Sequence, residues 1–140
     1  MKGGEASYSG EVMASGSFVQ DGTGRLVLPD GGIYRGDFRQ GTFHGQGDFS
    51  MSSGIRYEGG FADNAPHGKG IETMPDGERF EGYFKQGEKD GRGRLTMSNR
   101  HRIEGEWKKG RRVGEARYIF PDSRVCVIDE QHNVVRWVKP

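Results

Sequence analysis

The chain has 140 residues, a length that suits one domain, and its charges nearly balance at +1, so charge gives no reason to expect a nucleic-acid-binding protein. Glycine accounts for 25 residues and apolar residues for only 31%, while aromatic residues still make up 11%. The glycines follow no collagen-like period and no proline-rich tract accompanies them, which argues against collagen and simple disorder. This composition indicates a thin core built from aromatic side chains.

Two further classes are disfavoured by what the sequence lacks. Cys126 is the single cysteine, so neither an intrachain disulfide nor a metal site with several cysteines can form. No segment approaches the ~20 apolar residues of a membrane-spanning helix, and the first residues lack the apolar region of a secretory signal. We therefore expect an intracellular protein.

One pattern of aromatic residues and glycines recurs every 23 residues along the chain. It begins with Tyr34, Gly36 and Phe38 and continues with a His-Gly-x-Gly step at residues 44–47. Later copies start at Tyr57, Phe80 and Ile103. Self-similarity at a fixed period of this length is the signature of a repeat array.

The array has an altered start and an altered end. A first copy spans Tyr8 to Leu28 and carries three extra residues within Met13 to Gln20. Beyond residue 124 the pattern stops, and two runs rich in β-branched residues flank Asp129 to Asn133. We predict an N-terminal extension over residues 1–7, a repeat array over residues 8–124 and a C-terminal capping hairpin over residues 125–140.

Within each copy the apolar residues alternate with polar ones, which predicts half-buried strands. Residues that tolerate a positive φ angle stand seven positions after each leading residue and predict a tight turn there: Gly41, Asn64, Gly87 and Gly110. A second turn follows each return strand, at Asp-Gly or Ser-Gly in the earlier copies but at Asn99-Arg100 and Asp122-Ser123 near the end. A helix is excluded, because its interior would lose about 1 kcal/mol at each of these frequent glycines. The predicted fold is therefore all-β, an elongated single-layer antiparallel sheet of consecutive hairpins.

Stacked hairpins place aromatic and methionine side chains in rows on one face of the sheet. This predicted face consists of Tyr34, Phe38, Met51, Tyr57, Phe61, Met74, Phe80, Phe84, Met97 and Trp107. A single layer has no second sheet to cover it, so these rows are either an intramolecular core or a partly open groove. An open groove lined with methionine would suit a helical or extended segment of a partner protein.

Four cations cluster beside Trp107, namely Lys108, Lys109, Arg111 and Arg112. A basic turn with a neighbouring aromatic residue can hold anionic lipid, an acidic protein surface or nucleic acid. The alternative is a solvated turn that keeps the sheet soluble.

Candidate catalytic and metal-binding residues do not form a pattern. His44 and His67 stand one repeat apart, about 10 Å in such a sheet, too far to share a metal ion. The Gly-x-Gly steps lack a following Lys-Ser/Thr and open no helix, unlike a phosphate-binding loop. Cys126 has no histidine at any motif spacing. We predict no catalytic, cofactor-binding or metal-binding residue, and no enzyme.

The repeats resemble MORN repeats, whose consensus YxGxWxxGxxHGxGxxxxxDGxxY is close to YRGDFRQGTFHGQGDFSMSSGIRY at residues 34–57. The resemblance covers residues 8–125. The last copies depart from the consensus at Asn99-Arg100, Ile103, Val113 and Ala116.

The resemblance implies a scaffold or adaptor that docks partner proteins on its aromatic face and needs no cofactor. Small chains made almost wholly of such repeats look most like members found in cilia, flagella and other cytoskeletal assemblies, so the resemblance implies a ciliary or flagellar axoneme. Two alternatives stay open. One is peripheral binding to anionic phospholipid membranes through the basic turn. The other is a homodimer formed through the edges of the open sheet.

Overall fold

The computed structural model describes residues 7–12 and 20–139. These residues form one open sheet in which each of twelve strands pairs antiparallel with the next along the chain. The strands are β1 (Ser7–Val12), β2 (Gln20–Val27), β3 (Ile33–Arg39), β4 (Thr42–Ser50), β5 (Arg56–Ala62), β6 (Ala65–Thr73), β7 (Arg79–Lys85), β8 (Glu88–Thr96), β9 (Arg102–Lys108), β10 (Arg111–Ile119), β11 (Val125–Ile128) and β12 (Val134–Val138). The predicted all-β sheet of consecutive hairpins is confirmed. The predicted insertion lies outside the described residues, apart from Gln20 itself.

In the four repeats from residue 34 onward, the internal turn has positive φ at two consecutive residues, the backbone of a type I′ turn. At the first such turn φ is 49° at Gln40 and 80° at Gly41, and at the last it is 50° at Lys109 and 82° at Gly110. The predicted positive φ is therefore confirmed. The twist of this turn matches the right-handed twist of the strands that it joins, so the two strands of each hairpin stay paired and do not diverge.

Where the turn between repeats contains Asp or Asn, that side chain closes it with a backbone hydrogen bond. Asp76 accepts a hydrogen bond from the Glu78 backbone N–H at 2.8 Å, and Asn99 accepts one from the His101 N–H at 3.0 Å. The next turn residue again has positive φ. Gly77 adopts 93°, whereas Arg100 adopts 75° in the same position without being a glycine.

A row of glycines crosses the middle of the sheet. Glycine faces glycine on nine consecutive strands, at residues 10, 24, 36, 47, 59, 70, 82, 93 and 105. The rings of Tyr34, Tyr57 and Phe80 lie directly against the glycines at positions 47, 70 and 93, where any larger side chain would meet them. One layer of strands therefore builds its own core.

Candidate functional site

The aromatic rings of the predicted face interlock along the sheet. Each leading ring meets the second ring of the next repeat edge to face, with centroids 5.1 Å apart for Tyr34 and Phe61, 4.9 Å for Tyr57 and Phe84, and 4.9 Å for Phe80 and Trp107. Edge-to-face pairs at this distance are favourable beyond the area that they bury. The structure thus brings all seven predicted aromatic residues into one connected cluster.

These rings are buried within the chain itself. None of the seven exposes more than 7% of its surface, and Tyr34 exposes none. A ring this covered offers a partner almost no contact area. The sequence left open whether these rows are an intramolecular core or a partly open groove. The burial of the rings shows that they form an intramolecular core.

Sequence reasoning overlooked a position on the return strand whose side chain lies over the leading ring in two of the repeats. Phe43 stacks on Tyr34 with centroids 3.8 Å apart and planes at 5°. The equivalent position is Pro66 in the next repeat and Lys89 in the one after it. The Lys89 ammonium lies 5.3 Å from the Phe80 centroid. Phe43 alternates in phase with Phe49 along β4, so the period of two contained the signal that could have identified it.

The phenol groups in this core have backbone partners. The Tyr34 hydroxyl donates to the Asp37 carbonyl at 2.7 Å, and the Tyr57 hydroxyl donates to the Gly60 carbonyl at 2.8 Å. Burial, with the nearby Glu72 carboxylate acting in the same direction, raises the pKa of Tyr57 to about 12. These hydroxyls are therefore held neutral and in place.

The methionine row, Met51, Met74 and Met97, is the accessible part of the predicted face. Met51 exposes 41% of its surface, and Met74 and Met97 are half-buried. Met97 also packs against the core, together with the half-buried Phe49. What remains open on this face is thus an apolar rim beside the rings.

The four predicted cations do lie together at the turn between β9 and β10, but they are not equivalent. Lys108, Lys109 and Arg111 are exposed. Arg112 is half-buried, and its guanidinium donates to the carbonyls of Gly114 at 3.0 Å and Asp129 at 2.7 Å. Arg112 therefore ties β10 to the turn that precedes β12.

The histidines of the repeated His-Gly step differ in their surroundings. His44 is half-buried, and its Nδ1 atom is buried without a hydrogen-bond partner within the described residues. His67 is exposed. Over residues 7–12 and 20–139, no group of three or more His, Cys, Asp or Glu side chains is arranged to hold a metal ion. The same residues include no helix long and apolar enough to span a membrane.

Comparison with known proteins identifies the repeats. Four consecutive segments, residues 34–56, 57–79, 80–102 and 104–123, match the family pattern described as MORN repeat. No curated protein matches the chain in sequence.

Two solved structures share the fold at low sequence identity. One is the TCP domain of SAS-4 (dCPAP) of Drosophila melanogaster in complex with a proline-rich motif of Ana2 (dSTIL), at a TM-score of 0.55 and 12% identity over 84% of this chain and 72% of that chain. The other is the wild-type TCP10 domain of Danio rerio CPAP, at 0.50 and 14% over 85% and 68%. At such identities the likeness concerns the fold alone.

Proposed function

Because the chain belongs to the MORN-repeat family, we propose that it is a non-enzymatic scaffold that binds segments of partner proteins. The observation that carries this proposal is the methionine row, which a single-layer sheet leaves partly uncovered beside a closed aromatic core. Methionine side chains are flexible and polarisable, so they adapt to an apolar segment laid along them. The TCP domain of SAS-4, a sheet of similar fold, was solved with a proline-rich motif of Ana2, which supports binding of an extended segment.

Photocrosslinking from the methionine row tests this function. A benzoylphenylalanine at position 74 should crosslink to one protein partner in cells, whereas the same residue at Lys69, which lies in the adjacent row on the opposite face, should not. Changing Met51 and Met74 together to Glu should abolish the crosslink from a probe at Met97 without lowering the melting temperature by more than a few degrees. Equal crosslinking from both faces would contradict the proposal.

The place of this scaffold is proposed from the family resemblance: a ciliary or flagellar axoneme, or another cytoskeletal assembly. A fluorescently tagged chain expressed in ciliated cells should label the axoneme and remain after detergent extraction of the membranes. Diffuse label that is lost on extraction would argue against any cytoskeletal assembly.

Binding to anionic membranes is the second candidate, favoured by the exposure of Lys108, Lys109 and Arg111 at one turn. Vesicles of phosphatidylserine and phosphatidylcholine should then sediment the chain, and pure phosphatidylcholine vesicles should not. Changing these three cations to Ala should abolish sedimentation. Arg112 is left unchanged in this variant, because its guanidinium already holds two backbone carbonyls.

A further inference from the structure

The last strand, β12, concentrates apolar surface at an open edge of the sheet. Among residues 7–12 and 20–139 it pairs with β11 alone, and every one of its residues is exposed. Trp137 and Val134 each expose 53% of their surface, Val135 exposes 47% and Val138 exposes 41%. An apolar edge strand of this kind is a template on which another strand can pair.

The hydrogen bonds of the neighbouring hairpin show which way the backbone of β11 points. The Phe120 N–H donates to the Arg124 carbonyl at 2.9 Å, so these two residues form a hydrogen-bonded pair. Bonded and non-bonded pairs alternate along an antiparallel ladder. Two steps further on, Tyr118 and Cys126 are therefore a bonded pair, and the backbone groups of Cys126 point towards β10.

The alternation continues across the sheet to its edge. Val127 follows Cys126, so its N–H and C=O point the other way, towards Arg136 on β12. The backbone groups of Arg136 consequently point back to β11, and those of Trp137 point out of the sheet. The open edge thus presents a free donor and a free acceptor beside a half-exposed indole ring.

Three exposed cations flank this edge, namely Arg124, Arg136 and Lys139, and β12 carries no acidic residue. The Arg136 guanidinium lies 3.5 Å from the Glu115 carboxylate, but both side chains are exposed and such a pair is weak, so an incoming carboxylate can replace Glu115. The Arg124 guanidinium lies 4.9 Å from the Phe120 centroid and 5.9 Å from that of Trp137, and it also pairs with Asp122 at 2.8 Å. Two copies joined antiparallel through β12 would bring their cations together, whereas an acidic segment would neutralise them.

From these features we propose that β12 receives an extended, acidic segment of a partner protein as an additional antiparallel strand. An apolar residue of that segment lies opposite Trp137, and a carboxylate lies opposite Arg136. Main-chain hydrogen bonds supply the pairing, and the alternating side chains supply the selectivity. The inference rests on the proposed protein-binding function but assigns it a second place, at the end of the array.

Amide hydrogen exchange on the whole chain tests this strand addition. The probe is a capped seven-residue peptide that alternates Val and Glu, and its matched control alternates Val and Lys. The Val-Glu peptide should slow exchange of the Trp137 amide at least tenfold and leave the Arg136 amide, already bonded to β11, unchanged. It should also bind at least tenfold more tightly than the Val-Lys peptide, as measured by the blue shift of tryptophan emission.

Three variants separate strand pairing from general attraction. Trp137→Pro removes the outward-pointing N–H, which edge strands tolerate losing, together with the indole ring, whereas Trp137→Ala removes the ring alone. Calorimetry should show that Trp137→Pro weakens Val-Glu peptide binding at least tenfold more than Trp137→Ala does. Arg136→Glu should reverse the preference in favour of the Val-Lys peptide. Retained exchange protection of β11 amides would show that all three variants keep the fold.

Three results would overturn the inference. The first is equal binding of both peptides, and the second is slowed amide exchange at β1 or the methionine row instead of at Trp137. The third is slow exchange of the Trp137 amide in a chain that dimerises without peptide. The last result would identify a second copy as the occupant. Crosslinking from position 74 is independent of β12. If that crosslink persists while the Val-Glu peptide fails to bind, only the strand addition is rejected. If the crosslink is lost while the peptide protects the Trp137 amide, only the methionine row is rejected.

Discussion

The ring of Tyr57 lies so close to Gly70 that a methyl carbon built on this glycine would stand 2.2 Å from the Tyr57 Oη atom. The same spacing along the chain joins Phe80 to Gly93, where a methyl carbon would stand 2.2 Å from the ring. In the last repeat this pair becomes Ile103 and Ala116, and both side chains are buried. The smaller Ile and the added methyl group of Ala compensate for each other. Two apparent departures from the repeat are therefore one coupled change.

This relationship predicts a rescue by two substitutions. Gly70→Ala should lower the free energy of unfolding by about 1–3 kcal/mol, because the core has no room for the methyl group. Adding Tyr57→Ile should make the double variant more stable than the sum of the two single effects predicts. Urea denaturation measures all three variants, and Lys69→Ala on the exposed face should change stability by less than about 0.5 kcal/mol. Strict additivity of the two substitutions would contradict the coupling.

The raised pKa of Tyr57 predicts a loss of stability at alkaline pH. Burial raises this pKa from 10.0 to about 12 in the folded chain, so folding favours the neutral phenol. The contribution is fully present below pH 10 and is lost as the pH rises from 10 to about 12. Tyr57→Phe should be about 1 kcal/mol less stable at pH 7, because the bond to the Gly60 carbonyl is missing.

The decisive comparison is the pH profile of unfolding free energy between pH 9 and 12. Stability of Tyr57→Phe should fall less steeply over this range than that of the unmodified chain. Tyr83→Phe, which changes a side chain that is 49% exposed, serves as the control and should follow the unmodified chain. Parallel profiles for the unmodified chain and Tyr57→Phe would show that the Tyr57 phenol carries no alkaline sensitivity.

The hairpins and the ring face could be predicted from the sequence because both depend on local rules. Glycine or asparagine at the second turn position favours a positive φ there, and alternation along a strand fixes which side chains share a face. The sequence could not determine how well the face is covered. That depends on Phe43 stacking on Tyr34 across the hairpin, and on a shift of register between Gly36 and Phe38.

The ends of the array were also harder to predict. Val134 and Trp137 have the composition of a closing strand, yet both expose 53% of their surface. The burial of a strand depends on what lies beyond it, and its own residues do not encode that. Arg112 likewise belongs to a basic turn by its sequence, whereas its hydrogen bond to the Asp129 carbonyl depends on how the following hairpin packs.

Arg100 predicts a stabilising substitution. Its φ angle of 75° is the conformation that Gly77 adopts at 93° one repeat earlier, and a side chain at positive φ costs about 1–2 kcal/mol. Arg100→Gly should therefore raise the free energy of unfolding by about 0.5–1 kcal/mol. Gly77→Ala is the reverse control: a methyl group there would meet no atom within 4 Å, so any destabilisation comes from backbone strain alone. Thermal unfolding that moves in the same direction for both variants would contradict this explanation.

Arg112 and Arg111 are adjacent cations for which the structure predicts different roles. The Arg112 guanidinium donates to the carbonyls of Gly114 and Asp129, whereas the Arg111 side chain is exposed. Arg112→Ala should lower the free energy of unfolding by about 1–2 kcal/mol, because two hydrogen bonds are lost, and should speed amide exchange in β11 and β12. Arg111→Ala should change stability by less than about 0.5 kcal/mol.

Urea denaturation and hydrogen exchange measure the effects of the Arg112 and Arg111 substitutions. Equal stability of the two variants would show that the Arg112 bonds do not hold the last hairpin. If Arg112→Ala alone opens β12, binding assays at the basic turn must use Arg111→Ala, since it removes the same charge while leaving the hairpin in place.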